Sequence, residues 1–353
     1  MFIKQFEELR LWLLANHDLR SLGDFDRGAF DEVPNDLLAV VGAVFLASAA
    51  SSTISVAVQP SPFDDRSYDR ARTGRKRAAV LLQVGRVEFA AVTFRAVTGW
   101  PLVYCWPGDL LVDYLAADKM SQVAPIRQGM ATSDNIRFLR VPWELGCNDL
   151  FLARGTQAAV AVRMTPPWVP YIKGADGHVW IEPLRAVVNW KDRGLELKVF
   201  HEARHGSYSK RIPSESYYFK RGIAFSTIGD SFSARAHRWA SIFDAAGCSV
   251  FPTTFDSVLC LMNSTRARFI LQSLNPTISF KNNDVERLPL LPIGSSSVIF
   301  ERLDSAFSQH EAVREPSIEF RSPGLSPWRY VQDWAQRAVD RSTGEPLPPW
   351  QPV

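Results

Sequence analysis

His201 and His205 stand four residues apart in the string HEARH, with Glu202 beside the first. On a helix two imidazoles at that spacing face the same way and bind zinc, while the glutamate polarises a metal-bound water. That chemistry requires a third protein ligand. Gly206 ends any such helix at once, no H-x-x-G-x-x-H extension follows, and the acidic residues downstream offer no obvious second helix carrying a glutamate. The preceding LELKVF alternates as well as it spirals. The favoured reading is a chance pentapeptide in a basic segment, with a zinc hydrolase kept as an alternative.

Two proline pairs invite a second chemistry. MTPPW (Met164 to Trp168) and LPPW (Leu347 to Trp350) resemble the Asn/Asp-Pro-Pro-aromatic loop that holds a flipped base during methyl transfer to an exocyclic amine. Such a loop needs an amide or carboxylate at its first position, to accept hydrogen bonds from the target amino group. Thr165 and Leu347 supply neither, so both strings read as proline-rich turns. The dinucleotide fingerprint, the phosphate-binding P-loop and the G-x-S-x-G nucleophile elbow are all missing. No catalytic, cofactor-binding or metal-ligating residue is assigned, and the chain reads as a binding part.

The charges are unevenly placed. Forty Lys and Arg against 37 Asp and Glu leave a net charge of only +3, yet Arg66 to Arg77 (RSYDRARTGRKR) holds six basic residues and one acid. A second cluster, Arg204 to Arg221, interleaves basic groups with Tyr208, Tyr217, Tyr218 and Phe219. Positive charge among aromatic rings neutralises phosphates and stacks on bases. The plainer alternative is two solvated loops.

Elements must position these groups, and 353 residues with 46% hydrophobic and 12% aromatic content make a folded chain of about two domains. Phe2, Phe6, Leu9 and Leu13 predict a helix over residues 2–16, amphipathic and unlike a signal peptide. LRSLGDF predicts a short strand, GAFDEVPNDL a loop stiffened by Pro34, and TISVAVQ another strand. The apolar run Leu37 to Ala50 is shorter than the ~20 residues that cross a bilayer and reads as a buried element of an α/β core. Ala78 to Phe94 begins as a helix. Residues 140–190 read as short strands and ordered loops, 251–274 as helices, Phe300 to Val313 as a helix, and the tail ending in EPLPPWQPV as a proline-rich, poorly ordered segment. Four cysteines without a C-x-x-C pair fit reduced thiols and a cytoplasmic, membrane-free location.

From Gln128 the sequence becomes specific. QGMATSDNIRFLRVPWE (128–144), WVPYIKGA (168–175), VVNWKDRGLELKVF (187–200), YYFKRGIAFSTI (217–228), FSARAHR (232–238), IFDAAGCSVFP (242–252), LCLMNS (259–264) and LNPTISFKNNDVERLPL (274–290) follow one another in fixed order. This series resembles the C-terminal half of the BREX-type phage-exclusion methyltransferases (the PglX type), which are related to fused restriction–modification enzymes that methylate adenine. The amino-terminal HDLRSLGDFDRGAFDEVPNDLLAVVGAVF resembles the last strands of that family's methyltransferase domain. The resemblance covers nearly the whole chain. The family's Gly-containing loop for S-adenosylmethionine and its Asn-Pro-Pro-Tyr catalytic loop have no counterpart here, as in a truncated or split member.

The resemblance implies an α/β protein: a partial Rossmann-like methyltransferase sheet (1–100), a mixed α+β target-recognition domain (101–313) and a proline-rich tail (314–353). It implies DNA target recognition for an adenine-specific methyltransferase of a phage-defence system, with double-stranded DNA as ligand. S-adenosylmethionine and catalysis would come from a second polypeptide carrying the N-terminal methyltransferase half. An inactive remnant that only binds DNA or a partner is the alternative, and other defence-system proteins are further possible partners. Within the recognition domain Asn135 is the candidate for pairing with an adenine edge, and Arg137 or Arg140 for guanine or phosphate. Lys173, beside Gly174, together with Arg221, Arg235 and Arg238, are phosphate candidates; Tyr217 or Tyr218 would stack. Trp143, Trp190 and Phe219 read as core, and Asn275-Pro276 as a structural turn.

Overall fold

In the computed structural model Asp18–Arg27 forms strand β1 directly behind helix α1, Glu7–Asn16. The structure describes residues 6–27, 29–30, 39–48, 53–59, 71–146, 148–154, 166–174, 178–229, 231–277, 279–323 and 328–349. The Pro34 loop, Arg66 to Arg70, Cys147 and Thr165 lie outside them. The described residues form a mixed α/β structure of several small sheets and helices. It divides into two compact units: Met1–Arg127, Phe225–Ala234 and Val250–Gly294 make the first; Gln128–Ala224, Arg235–Ser249 and Ser295–Val353 make the second.

In the first unit β1 is joined by β2 (Ala39–Leu46), β3 (Ile54–Val58) and β4 (Arg86–Ala90) in the order β2-β1-β3-β4. Only β1 and β3 run parallel; β1–β2 and β3–β4 are antiparallel. Leu19, Leu22, Ala57 and Phe89 are buried from this sheet, and Phe89 stacks on Phe94 with ring centres 5.3 Å apart. Each of the two leucines and the phenylalanine contributes about 1.5–3 kcal/mol of burial, and the single methyl of Ala57 less. Gly23 and Gly42 face each other across β1 and β2, and the Phe25 ring lies over both: a Cβ on Gly23 would stand 2.3 Å from Phe25 Cζ. A ring laid over paired glycines supplies the surface that the glycines lack.

Two sequence expectations are corrected here. The described part of the Leu37 to Ala50 run is not a buried element: its strand, β2, is the edge of the sheet among the described residues, and Val44 and Leu46 are 61% and 56% exposed. An apolar run without period fixes the strand but not what lies against it. On α1 the buried residues are Arg10 and Leu14, not the Phe6–Leu9 stripe, because the Arg10 guanidinium reaches inward to the Gly99 carbonyl at 2.7 and 3.0 Å. Helix α2, Ala71–Leu81, carries the end of the first basic cluster; Lys76 is buried with Nζ donating to the Phe25 carbonyl at 2.6 Å. Helices Phe255–Met262 and Thr265–Leu274 match the expected helical stretch.

The second unit is built on the sheet β8-β6-β7-β5, comprising β5 (Leu139–Arg140), β6 (Trp168–Ile172), β7 (Val187–Asn189) and β8 (Ile242–Phe243). β8 runs parallel to β6, and the other pairs are antiparallel. After β7, Asp192, Arg193 and Gly194 all have positive φ before helix α3 (Lys191–His205) continues. A Cβ on Gly194 would sit 2.5 Å from the Trp190 ring, so this left-handed entry requires glycine. α3 buries Leu197 and His201 and turns Leu195 and Val199 outward. Helix α4, Ser296–Ala312, covers the predicted 300–313 helix up to Val313, which caps it, and begins four residues earlier. The tail is more regular than expected: α5, Trp328–Asp340, is a thirteen-residue helix, and Trp334 Nε1 donates to the Pro348 carbonyl at 2.9 Å. No proline or glycine interrupts those residues, which is why they form a helix despite the composition around them.

Candidate nucleic-acid interface

The segment 129–144 lies against the sheet of the second unit. Met130 N donates to the Phe243 carbonyl of β8 at 2.9 Å, and the Tyr171 hydroxyl donates to the Met130 carbonyl at 3.0 Å. From this mount the chain makes one helical turn, Asn135–Phe138, capped by Asp134, whose Oδ1 accepts from Arg137 N at 3.1 Å. Phe138 is fully buried against Phe200 of α3, with ring centres 5.2 Å apart. The anchored ring leaves Asn135, Ile136 and Arg137 exposed.

Each outward cation is already oriented. Arg137 lies over Phe138 and Phe200 and forks onto Glu196 through Nε at 2.9 Å and Nη2 at 2.7 Å. Arg140 Nη1 donates to the carbonyls of Ile136 and Leu139 at 2.7 and 2.6 Å, with its guanidinium over the Trp168 ring. Asn135 Oδ1 accepts from the Thr132 hydroxyl. The pair Arg137–Glu196 is half exposed on both sides, so it fixes direction more than stability. An open groove beside this turn is lined by Arg137, Lys191, Leu195, Val199 and Arg204 among others.

Trp143, expected in the core, is 66% exposed on the turn Pro142–Glu144. Glu144 Oε2 accepts from Val141 N at 2.8 Å, and this tight turn lifts the indole outward. Sequence reasoning missed it. The available signal was its place between Pro142 and Glu144, directly after two spaced arginines.

The remaining sequence candidates divide by burial. Lys173 is partly exposed and, with Gly174, Glu182, Arg185, Arg238 and Trp239, lines a cavity of about 230 Å³. A Cβ on Gly174 would meet nothing nearer than Ala246 at 3.9 Å, so packing does not demand glycine there. Arg221 is exposed beside the Phe300 ring, and Tyr217 is half-buried under Lys220. Tyr218 is interior: its hydroxyl donates to the Pro213 carbonyl at 2.8 Å, and its ring meets Trp190 and Phe243. Burial pushes that phenol far above its ordinary range. Arg235 is wholly buried, paired with Glu182 at 2.8 Å and donating to the Lys173 carbonyl. Arg238 has a 4% exposed side chain bound to Glu319, Asp304 and Ser308. These three side chains hold the unit together from inside.

HEARH is helical and stops at Gly206, which takes the left-handed conformation. His201 is wholly buried, and burial lowers its pKa, with the charges of His205, Arg211 and Arg204 acting the same way. Glu202 Oε2 accepts from Tyr208 N at 2.9 Å, which occupies the carboxylate as a helix-end cap. Among the described residues no group of three or more His, Cys, Asp or Glu is placed to hold a metal ion. Asn275 bonds Ser279, Asp284 and Thr277, as a structural turn does. No helix among the described residues is long and apolar enough to cross a membrane.

No family model matches the chain. The chain is 24% identical over 311 residues to the adenine-specific methyltransferase PglX of Lacticaseibacillus casei (strain Zhang), covering 85% of this chain and 25% of that protein. It is 22% identical over 302 residues to the adenine-specific methyltransferase BrxX of Escherichia coli O9:H4 (strain HS), covering 82% of this chain and 23% of that one. The chain thus spans about a quarter of the length of these relatives. The solved structure of the type IIG restriction endonuclease BpuSI aligns with 86% of this chain and 40% of its own, at a TM-score of 0.31 and 11% identity. The resemblance to PglX-type adenine methyltransferases read from the ordered motifs therefore holds over most of the sequence.

Proposed function

We propose that this chain is the DNA target-recognition portion of an adenine-specific DNA methyltransferase of BREX or restriction–modification type, and that a second polypeptide supplies the methyl donor site and the base-holding loop. One observation carries the reading: in a chain related to adenine methyltransferases, the anchored turn 134–144 presents an amide, two oriented guanidiniums and an indole at the surface. Asn135 suits an adenine edge, and Arg137 and Arg140 suit guanine or phosphate. Lys173 and Arg221 add phosphate contacts, while Tyr218, Arg235 and Arg238 serve the interior. The recognition role falls to 101–313, the methyltransferase remnant to 1–100, and the tail to 314–353.

Among the described residues no S-adenosylmethionine site is assigned. After the parallel pair β1 and β3 the sequence reads GAFDEVPNDL and QPSPFDDRSYD, and neither stretch is glycine-rich. No step through the donor is therefore assigned to this chain. Its task is to hold duplex DNA while an adenine is extruded toward a partner's pocket.

The edge strand β2 supports the partner half of the proposal. It presents Val44 and Leu46 outward, and an exposed apolar edge is a template for another strand. Co-expression with the polypeptide encoded next upstream, if it carries the Gly-containing and Asn-Pro-Pro-Tyr loops, is expected to yield N6-methyladenine in host DNA that neither chain yields alone. Val44→Lys with Leu46→Lys should abolish co-purification of the two chains and leave the thermal unfolding midpoint unchanged. Absence of both DNA binding and methylation in the co-expressed pair would mark an inactive remnant and overturn the proposal.

A further inference from the structure

Ile136 is 90% exposed, more than any other large apolar side chain among the described residues. Exposure by itself says little, since single surface hydrophobics are ordinary. Its mount is what sets it apart. The turn beneath it is capped by Asp134 and anchored by the buried Phe138 ring. Arg140 reaches back to the carbonyl of Ile136 itself at 2.7 Å. Arg137, next in sequence, is clamped against Phe138, Phe200 and Glu196. The side chain is β-branched and therefore stiff at χ1. A rigid apolar group thus projects into solvent from a turn that carries an arginine at the next position and another at the fourth.

Resting on the recognition role proposed above, we infer that Ile136 is a wedge that enters the base stack of bound duplex DNA. Proteins that kink or open a duplex insert isoleucine, leucine, phenylalanine or methionine between base steps, and the neighbouring cations hold the phosphates while the step is parted. Unstacking costs free energy, and a wedge that arrives pre-ordered loses little of its own on binding. The same act loosens the neighbouring pair, which lowers the cost of extruding an adenine. The residue therefore does positioning work: it changes the shape of the DNA and touches no reacting atom.

The test uses the 353-residue chain and short duplexes selected by it from a random-sequence pool, with 2-aminopurine replacing one adenine at a time. Anisotropy of an end label reports binding, and 2-aminopurine fluorescence reports unstacking. The wild-type chain is expected to raise the fluorescence several-fold at one or two adjacent positions. Ile136→Ala should keep binding within about tenfold and lose most of that rise, because phosphate contacts dominate affinity. Val339→Ala, which truncates another exposed apolar residue on α5, should behave as wild type. Binding without a fluorescence rise, or an undiminished rise with Ile136→Ala, overturns the wedge and leaves the recognition role standing. Absence of binding overturns both.

Discussion

Arg238→Ala is expected to cost about 3–5 kcal/mol of stability in the second unit, the usual cost of leaving buried ion-pair partners without their counter-charge. The guanidinium forks onto Glu319 with both contacts at 2.7 Å, bonds Asp304, and donates to Ser308 at 2.8 Å. Glu319 is 15% exposed and also pairs with Arg154, so truncation strands a mostly buried carboxylate on one weaker partner. Burial raises the Glu319 pKa, but the hydrogen bonds and charges of Arg238 and, behind it, Arg154 outweigh it and leave the carboxyl below its ordinary value. A depressed carboxyl stabilises the fold above its unfolded pKa, and that stability disappears as pH falls through the folded value. The wild-type chain should therefore lose this contribution on acidification, whereas the variant has already lost the share that Arg238 supplies at neutral pH and keeps only that of Arg154. Urea unfolding at neutral and acidic pH checks both statements. Arg238→Lys should recover only part of the loss, because an ammonium cannot reproduce the planar fork.

Gly129→Ala is the second large effect. A Cβ there would stand 1.9 Å from the Phe243 carbonyl oxygen and 2.4 Å from its carbon, both backbone atoms of β8. No side chain can swing aside to relieve the contact, so the strand or the 129–131 backbone must move. The expected cost exceeds the about 1–3 kcal/mol of ordinary overpacking, and the Met130–Phe243 hydrogen bond that mounts the turn goes with it. Gly174→Ala provides the contrast: its Cβ has room, and the thermal midpoint should not change. A comparison of the two midpoints by circular dichroism decides the matter, since equal midpoints would mean that the close approach at Gly129 is not required.

Much of this structure was legible in the sequence wherever local pattern decides the outcome. TISVAVQ and LRSLGDF became β3 and β1, and residues 251–274 became two helices, because period and breakers act within a few residues. The misreadings of Arg238 and Tyr218 concern partners distant in the chain, whereas Trp143 and the tail helix turn on local geometry. Arg238 and Arg221 are both arginines in basic segments, and Asp304, Ser308 and Glu319, 66 to 81 positions away, take the first inside while the second stays exposed. Tyr217 and Tyr218 are neighbours, yet Trp190 and Phe243 take one ring into the core. Val44 and Leu46 look buried by composition, but which side of a strand is covered depends on what packs there. The candidate site was readable as a segment, through Asn135, Arg137 and Arg140; Trp143 was signalled only by its place between Pro142 and Glu144, and Ile136 acquired meaning only from its exposure.

The grip on DNA is most directly tested by equilibrium binding of the 353-residue chain to a fluorescent duplex across a salt series, with no methyl donor present. Saturable binding is expected, with log affinity falling linearly against log salt. If Arg137, Arg140, Lys173 and Arg221 each neutralise one phosphate, the slope lies near −3 to −4, from about −0.9 per phosphate. Replacing all four by alanine should flatten it toward zero while the unfolding midpoint holds. Failure to bind at low salt, or binding whose salt dependence the fourfold variant leaves untouched, would contradict the account.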